Sequence, residues 1–430
     1  MKATKKRALS VVLAIAMTLS LVLTGCGGKS SGGATSGASG GGDTPAKTTL
    51  NILMEDVPDT ECVAALLDEF TAQTGITVNI ESVNYSSMHE KILTQMLSST
   101  NSYDIIVVDC YWVGEFASAG WMEPLDSYIS SSNFDTSVYI DSMYNMVGNV
   151  NGTTYMLPFY NYMMSLIYRT DLWEDAGVAI PDNLDDYVAA CKKMTAEGNG
   201  ETYGAVMMGL RPDPIVVEWC NYMFSCGGDF YDEAGNIAIN SPESVHALDL
   251  YLDNMANAAP NGAAGYGFDE AYNVMAQGNA ASFISYNWMM PKLQNAAESS
   301  VSGLCDLAVM PGGVSLNAGW GWAIPHNAPD KDASWQFLQW VESFDVCKAR
   351  ALAGGSPTRG DVMSDDEVQA KWPYLATVQT IMEGSKMIPI MEDAPQLIEV
   401  LGRELSEAVA GSKTSQAALD AVAAEMAKMK

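Results

Sequence analysis

The sequence predicts an α/β fold with an open sheet, because strand patterns and helical patterns alternate along the chain. The segment Thr49-Leu-Asn-Ile-Leu-Met54 has the pattern of a buried strand, and Ile76 to Val83 alternates as a second strand. The run Tyr103-Asp-Ile-Ile-Val-Val-Asp109 is typical of a strand that is covered on both faces. Ligands gather beyond the carboxyl ends of such strands, which indicates 55–57 and 109–112 as candidate site segments.

Helical patterns fill the intervals between these strands. The stretch from Met88 to Leu97 has one such pattern. An earlier one ends at Gly75, and its apolar residues recur at helical spacing, at Val63, Leu66, Leu67 and Phe70. The first part of the chain is therefore predicted to run strand, helix, strand, helix, strand.

A second unit is predicted to begin near Pro158. It contains helical patterns at 184–194, 214–224 and 244–255 and strand patterns at 203–208 and 281–285. Around residues 323–328 the chain leaves this unit. The helical pattern that follows carries one apolar stripe, formed by Phe337, Leu338, Val341 and Phe344.

The N-terminus has the features of a secretory signal that ends in a lipobox. Four basic residues precede the apolar run Val11–Leu23, and Leu23-Thr-Gly-Cys26 places a small residue directly before Cys26. The expected chemistry is a thioether from the Cys26 sulfur to a diacylglycerol, followed by cleavage before Cys26. Residues 1–25 are then the signal peptide and residues 26–47 a flexible Gly/Ser-rich tether. The protein is expected outside the cytoplasm, anchored to the cell membrane by its lipid.

An uncleaved membrane helix is the alternative interpretation of this segment. The apolar run falls short of the roughly 20 residues that a membrane span requires. It is also interrupted or flanked by hydroxylated residues, namely Ser10, Thr18, Ser20 and Thr24. The lipoprotein interpretation is therefore preferred.

Composition excludes several classes of function. The chain has 430 residues, so the part after the tether is long enough for two domains with apolar cores. Its formal charge of −30 repels phosphate backbones and argues against nucleic acid as a partner. The three histidines are widely spaced, so we expect no metal site and no cofactor. Cys220 and Cys226 could pair, but scattered buried thiols are the simpler interpretation.

Several phrases in a fixed order resemble one family: the carbohydrate-type extracellular solute-binding proteins that feed ABC importers. The resemblance extends over essentially all of residues 48–430. The segment Ala333–Trp340 is one of the matching segments near its C-terminal end. The phrases are Tyr103–Asp109, Ala119-Gly-Trp-Met-Glu-Pro-Leu-Asp126, Asn151-Gly-Thr-Thr-Tyr-Met-Leu-Pro158, Ile167-Tyr-Arg-Thr-Asp171, Cys226-Gly-Gly-Asp-Phe-Tyr-Asp232, Gly319-Trp-Gly-Trp-Ala-Ile324 and Gly354-Gly-Ser-Pro-Thr-Arg359. The segments Asp109–Trp112 and Pro158–Tyr162 look most like the branch that binds polyols and small sugars.

The resemblance implies a two-lobe, type II periplasmic-binding-protein-like fold whose lobes close over a ligand. Three chain crossings are expected near residues 158–162, 323–327 and 367–372, which makes each lobe discontinuous. The N-terminal lobe then comprises residues 48–158 plus 326–368, and the C-terminal lobe residues 159–325 plus 369–430. The implied partners are a sugar or polyol and the permease subunits of an ABC transporter, and we expect a monomer.

A sugar has apolar ring faces and a rim of hydroxyls, so its receptor needs aromatic platforms and planar polar side chains. Glu55 ends the first strand, and Asp109, Tyr111 and Trp112 follow the third, so all four are candidate ligand contacts. Trp112 has an alternative role as the start of the next helix, packed locally. The cluster Arg211, Glu218 and Trp219 is a further candidate, with an Arg–Glu pair on a solvated helix as its alternative.

Three further groups of candidates follow from the resemblance and from position. Asn287 and Trp288 follow the strand pattern at 281–285, where family members commonly stack an aromatic ring on the sugar. Trp320 and Trp322 point in opposite directions, and the resemblance favours Trp320 as the one in the cleft. Tyr160 and Asn161 at the first crossing, and Arg359 after a proline-containing loop, complete the set. Hinge packing and a surface salt bridge are their respective alternatives.

Two other functions fit parts of the pattern. A secreted carbohydrate-active enzyme would use a pair of carboxylates, but with 52 acidic residues such a pair is always available and carries no weight. No Ser or Cys motif in a strand-turn-helix setting supports a nucleophilic hydrolase, so we expect no enzyme activity. The same fold could also bind a polyamine, a peptide or an anion. Asp109, Glu218 and Glu55 would suit a polyamine, whereas the added Trp and Arg residues favour a hydroxylated ligand.

Overall fold

The structure is a computed structural model that describes residues 48–98 and 101–430. The predicted signal peptide, the lipobox with Cys26 and the tether lie outside the described residues. The strands are β1 (Thr49–Glu55), β2 (Thr77–Val83), β3 (Ile105–Asp109), β4 (Asn149–Val150), β5 (Thr153–Thr154), β6 (Leu157–Tyr160), β7 (Met164–Arg169), β8 (Ser282–Tyr286), β9 (Cys305–Ala308) and β10 (Trp320–Ala323).

Helices contain more of the described residues than strands do, with two short 3₁₀ turns at Thr136–Val138 and Ala263–Gly265. The α-helices are α1 (Pro58–Ala64), α2 (Leu67–Thr74), α3 (Tyr85–Leu97), α4 (Val113–Ser118), α5 (Asp126–Ser132), α6 (Asp141–Val147), α7 (Thr170–Asp175), α8 (Leu184–Glu197), α9 (Asp213–Ser225), α10 (Pro242–Asn257), α11 (Phe268–Ala276), α12 (Met289–Leu293), α13 (Lys331–Val341), α14 (Phe344–Ala353), α15 (Gly360–Met363), α16 (Asp366–Lys371), α17 (Leu375–Glu383), α18 (Ala394–Val409) and α19 (Ser415–Met426).

A five-stranded sheet in the order β2-β1-β3-β10-β6 forms the first half of the fold. β1 pairs in parallel with β2 and β3, whereas β10 runs antiparallel to both β3 and β6. All five residues of β3 are buried, which explains why this strand is an apolar run with no alternation. The predicted strand, helix, strand, helix, strand order is confirmed here, and β1 and β3 end at Glu55 and Asp109.

A three-stranded antiparallel sheet in the order β8-β7-β9 forms the second half. The helices α7, α11 and α12 contact β7, β8 and β9, respectively, and α8, α9, α18 and α19 pack around α10. The chain passes from the first sheet to the second between β6 and β7, and it returns between β9 and β10. The predicted α/β class is thus confirmed, and two separate sheets are present, as a two-lobe fold requires.

The predicted lobe boundaries stay a prediction. Two strands of the first sheet nevertheless contain residues that were expected in the C-terminal lobe. Residues 159–325 were assigned to the C-terminal lobe, yet Trp320–Ala323 pairs with Ile106–Asp109 in the first sheet. Phe159 and Tyr160 also belong to that sheet, through β6. The return crossing therefore precedes residue 320. The sequence offered no sign of this, because a partner strand is chosen by long-range pairing that leaves no local pattern.

Three local predictions need correction. The helical pattern from Val63 to Phe70 is two helices, α1 and α2, and Gly75 ends the second in a left-handed conformation with φ 76°. The stripe from Phe337 to Phe344 is likewise divided between α13 and α14. The predicted strand at 203–208 forms only isolated bridges, at Tyr203 and Val206. Here the Ser282 hydroxyl donates to the Gly204 carbonyl oxygen at 2.7 Å and takes the place of a ladder bond.

The seven cysteines of the described part of the chain are all free, so Cys220 and Cys226 do not pair. Six of the seven are buried, as the simpler interpretation expected. Among the described residues, no helix has both the length and the apolar character needed to cross a membrane.

Candidate binding cavity

A cavity of about 100 Å³ lies where the carboxyl ends of β1 and β3 meet residues that flank the second sheet. The first sheet and the helix after β2 contribute one wall. The residues next to β7 and β8 and the first turns of α9 and α11 contribute the other. The lining residues are Glu55, Val57, Tyr85, Asp109, Tyr111, Tyr162, Asp213, Phe268, Tyr286, Trp288, Ala318 and Trp320. Five predicted contacts are among them: Glu55, Asp109, Tyr111, Trp288 and Trp320.

Three carboxyl groups converge on the cavity from separate elements. Glu55 is the last residue of β1, Asp109 is the last residue of β3, and Asp213 is the first residue of α9. β1 and β3 are parallel neighbours, so their carboxyl ends meet at one edge of the sheet and bring the first two acids together. Asp213 reaches the cavity from the other wall.

Burial raises the pKa values of all three carboxyl groups. The pKa of Glu55 is raised to about 8, by burial first and then by the charges of Asp109 and Asp213, although a hydrogen bond from Tyr160 opposes this. Burial raises the pKa of Asp109 to about 7, and the charge of Asp213 adds to the effect. Burial alone raises the pKa of Asp213 to about 7. Loss of water favours the protonated form of each carboxyl group, and a like charge nearby adds to this effect at Glu55 and Asp109.

Aromatic rings form most of the remaining wall. Tyr162 lies 5.8 Å from Tyr286 and 5.9 Å from Trp288 between ring centroids, and Phe268 lies 5.4 Å from Tyr286. On the opposite side Tyr85 meets Trp320 edge-on at 5.9 Å. Rings packed against each other in this way are held in place before a ligand arrives. They present flat apolar faces, with the phenolic hydroxyls as polar tips.

Two polar atoms of the lining residues have no hydrogen-bond partner. They are Oη of Tyr111 and Oδ1 of Asp213. Tyr111 is 3% exposed, and its backbone N–H donates to Asp109 Oδ1 at 3.1 Å, so the residue is fixed with its hydroxyl beside that of Tyr286. Buried polar atoms without partners are costly, so these two atoms are available for contact with water or a ligand.

Trp112 and Tyr160 were predicted as ligand contacts, but they lie behind the cavity wall. Trp112 stacks on Tyr85 at 5.5 Å and meets Trp320 edge-on at 5.4 Å, which agrees with its alternative role in local packing. Tyr160 is fully buried, and its hydroxyl donates to Glu55 Oε2 at 3.1 Å. Both residues support side chains that line the cavity.

Asn161 and Asn287 do not line the cavity either, and they connect the two sheets. Asn287 Nδ2 donates to Asn161 Oδ1 at 2.8 Å, and Asn287 Oδ1 accepts from the backbone of Met163 at 2.9 Å. Asn161 Nδ2 donates to the carbonyl oxygen of Pro357. Both side chains are therefore occupied at the first crossing, which is the hinge-packing alternative.

The cluster Arg211, Glu218 and Trp219 does not form a site. Arg211 is exposed, whereas Glu218 and Trp219 are fully buried within α9. Glu218 Oε2 accepts from the backbone N–H of Met208 at 2.5 Å. Residues 214–224 of α9 are all buried, so Glu218 and Trp219 lie in the interior. The Arg–Glu pair of the alternative interpretation does not form either, because Arg211 is exposed.

Arg359 and Trp322 belong to the core network around Glu342. Arg359 Nη2 pairs with Asp361 at 2.7 Å, and its Nη1 donates to the carbonyl oxygen of Glu342 at 2.7 Å. Trp322 is fully buried, and its Nε1 donates to Glu342 Oε1 at 2.9 Å. Trp320 faces the cavity and Trp322 the core, as their alternation along β10 predicted.

Val57 lies within the predicted segment 55–57, whereas sequence reasoning missed Tyr85, Asp213, Phe268, Tyr286, Tyr162 and Ala318. Tyr85, Asp213 and Phe268 each begin a helix, where a residue is easily mistaken for part of a capping pattern. Tyr162 had a usable signal, because it lies two residues from Tyr160 in an extended segment and two-residue spacing shares a face. Within residues 48–98 and 101–430, no group of three or more His, Cys, Asp or Glu residues is arranged to hold a metal ion.

Comparison with known proteins places this architecture among transport receptors. A family model described as "Bacterial extracellular solute-binding protein" matches residues 59–344. A probable amino-acid ABC transporter periplasmic-binding protein of Sinorhizobium fredii is 23% identical, over 84% of this chain and 84% of that protein. The erythritol/L-threitol-binding protein of Mycolicibacterium smegmatis is 24% identical, over 87% of this chain and 86% of that protein.

A solved structure with the same fold holds a polyol. It is an ABC transporter solute-binding protein from Agrobacterium radiobacter in complex with ribitol, with a TM-score of 0.81 and 27% identity. The match covers 89% of this chain and 98% of that one.

Proposed function

Because the chain belongs to the bacterial extracellular solute-binding protein family, we propose that it captures a sugar or polyol and delivers it to an ABC transporter permease. The observation that carries the proposal is the cavity itself, whose aromatic faces and carboxyl groups come from both sheets. Aromatic faces suit the C–H surface of a sugar or polyol, and carboxylates accept hydrogen bonds from its hydroxyls. The relatives that bind erythritol or L-threitol and ribitol support the same ligand class.

The cavity volume favours a small ligand. About 100 Å³ suits a single monosaccharide or alditol rather than an oligosaccharide. The proposed ligand contacts are the five predicted residues that line the cavity together with the missed ones, above all Trp320 and Trp288 on opposite walls. A ligand that touches both walls binds the closed arrangement more tightly than an open one, and this difference in affinity drives closure.

The experiment is a thermal-shift and tryptophan-fluorescence screen of the mature protein against alditols, monosaccharides and oligosaccharides. A small alditol or sugar should raise the melting temperature, since a ligand that binds only the folded state stabilises it by mass action. The bound compound should be recovered unchanged. Turnover of the ligand, or a response only to an unrelated class of metabolite, would contradict the proposal.

We also propose the lipid anchor on Cys26 and a monomeric state. The lipobox supports the anchor, which would keep the receptor close to its importer. Metabolic labelling with an alkyne fatty acid should mark the wild-type protein at the membrane. The Cys26→Ala variant should stay unlabelled and retain its signal peptide. Size-exclusion chromatography with light scattering of the mature body should give the mass of one chain.

A further inference from the structure

The charges around the cavity are all of one sign. Glu55, Asp109 and Asp213 line it, and among the described residues no Lys, Arg or His does. The like charges of Asp109, Asp213 and Asp59 are among the causes that raise the pKa of Glu55. Three carboxyl groups in one small cavity repel one another whenever they are ionised, and no cation in the cavity wall compensates them, although Glu55 and Asp109 accept hydrogen bonds.

Basic side chains near the two walls contact other parts of the protein or solvent. Lys292 Nζ lies 5.7 Å from the ring centroid of Trp288, but Lys292 lines a different, open pocket. Arg350 pairs with Glu342 at 3.0 Å. The two arginines that the sequence assigned to the ligand, Arg211 and Arg359, are respectively exposed and paired with Asp361. These two arginines therefore give no reason to prefer a neutral hydroxylated ligand over an amine.

The remaining wall suits a cation as well as a sugar. Tyrosine and tryptophan faces attract an ammonium group through their ring quadrupoles, most strongly when water is excluded. Four tyrosines and two tryptophans line the cavity. The partner that Asp213 Oδ1 lacks is a hydrogen-bond donor, which a protonated amine provides. Tyr111 Oη can accept from or donate to a hydroxyl on the same ligand.

We propose that the solute is a small polyhydroxylated compound that carries a protonated amine, as in an amino alditol or amino sugar. The proposal rests on the proposed function and narrows its ligand class. The amine lies among Glu55, Asp109 and Asp213, and the hydroxylated carbon chain lies against the rings. A charge-assisted hydrogen bond in a dry site is stronger than a neutral one, so the amine gives the ligand its affinity.

Matched pairs of compounds test the proposal on the intact mature protein. Calorimetry near neutral pH compares 1-amino-1-deoxysorbitol with sorbitol and 1-amino-1-deoxyribitol with ribitol, and putrescine represents an amine without hydroxyls. In at least one pair the amine should bind about tenfold more tightly than the neutral alditol, which is the usual gain from a charged partner. The Asp213→Asn variant should reduce this preference.

A control separates local charge from net charge. Glu243 is an exposed acid in the first turn of α10, so Glu243→Gln makes the same charge change at a comparable helix position away from the cavity. It should leave the preference unchanged. If Asp213→Asn does not fold, Glu55→Gln tests the same prediction from the other wall.

The other outcomes are distinct. Equal or tighter binding of the neutral alditol would overturn the inference and leave the proposed function standing. Tightest binding of putrescine would overturn both the hydroxylated ligand and the sugar or polyol function. If neither alditols nor their amino derivatives bind, the inference and the proposed function fail together.

Discussion

Two groups of buried carboxylates in this protein have opposite surroundings. Glu342, in the core behind the first sheet, accepts hydrogen bonds from Arg350 at 3.0 Å, Trp322 at 2.9 Å and Tyr139 at 3.2 Å. Glu55, Asp109 and Asp213, in the cavity, have no basic residue beside them. The first group is electrostatically complete within the fold, and the second is not.

The two groups differ in whether a cation of the protein offsets the cost of burying a carboxylate. Burial raises the pKa of Glu342, but Arg350 and the hydrogen-bond donors oppose the shift. No cation opposes the rise at Glu55 or Asp213. Removing the cation of a buried pair destabilises the fold, because it leaves the carboxylate uncompensated. A buried carboxylate without a cation lowers stability until a ligand binds.

The largest expected effect is on the core pair. Arg350→Met should lower the free energy of unfolding by about 3–5 kcal/mol, because it leaves Glu342 as a buried charge without a cation. Urea denaturation measures this loss. Lys348→Met on the same helix is the matched control, since Lys348 pairs at the surface with Asp365 and Glu367 and should cost less than about 1 kcal/mol. Equal effects of the two substitutions would mean that the core pair has no special weight.

The next effect is on ligand affinity. Trp320→Ala should weaken binding of the best alditol or amino alditol by about 2 kcal/mol or more, because a central aromatic platform is lost. Calorimetry provides the dissociation constants. Trp121→Ala removes a half-buried tryptophan that does not line the cavity, so its ligand affinity should match that of the wild type. Unchanged affinity in Trp320→Ala would remove this ring from the site.

The cavity carboxyls also predict how stability depends on pH. Their folded pKa values of about 7 to 8 exceed the ordinary value of about 4, so the folded state holds protons that the unfolded chain releases. Stability of the ligand-free protein should therefore fall as pH rises from about 4 to about 8, by up to about 4 kcal/mol per group, since each pKa unit corresponds to about 1.4 kcal/mol. Melting temperatures across this window measure it. Glu55→Gln should flatten the fall, and a wild-type-like slope in that variant would contradict the assignment.

The smallest effect is a gain. Asp213→Asn should stabilise the ligand-free protein by about 1 kcal/mol at pH 8, since it removes a buried charge without a cationic partner. At pH 5 the wild-type carboxyl is already protonated, so the gain should vanish. Glu342→Gln should be destabilising at both pH values, because it breaks the pair with Arg350. Destabilisation of Asp213→Asn at pH 8 would show that this carboxylate also belongs to the fold.

The sequence predicted the sheet edge of the site better than its other wall. Glu55 and Asp109 followed from the ends of two apolar strands, a local pattern that depends only on strand period and burial. Trp320 followed from alternation within β10 and from the family resemblance. These residues lie where one short stretch of sequence determines both the element and the direction of the side chain.

The opposite wall depends on how helices pack, which leaves little trace in a single sequence. Asp213 stands beside the predicted cluster, but the interpretation chose Glu218 and Trp219, which the helix turns inward. Arg359 was predicted to contact the ligand from its loop. It pairs instead with Asp361, two residues further along the chain. Charge alone did not distinguish a structural arginine from a binding one. Only the structure shows whether a basic residue lies at the cavity.

The central claim is that the cavity carboxyl groups bind a cationic ligand. The number of protons released on ligand binding tests it most directly. The mature protein is titrated with 1-amino-1-deoxyribitol and with ribitol at neutral pH, in two buffers with different heats of ionisation. Glu55, Asp109 and Asp213 share their protons before binding and should give some of them up to the ammonium group. The account predicts net proton release and tighter binding for the amine. Binding of ribitol with equal affinity, with no proton released by either compound, would contradict it.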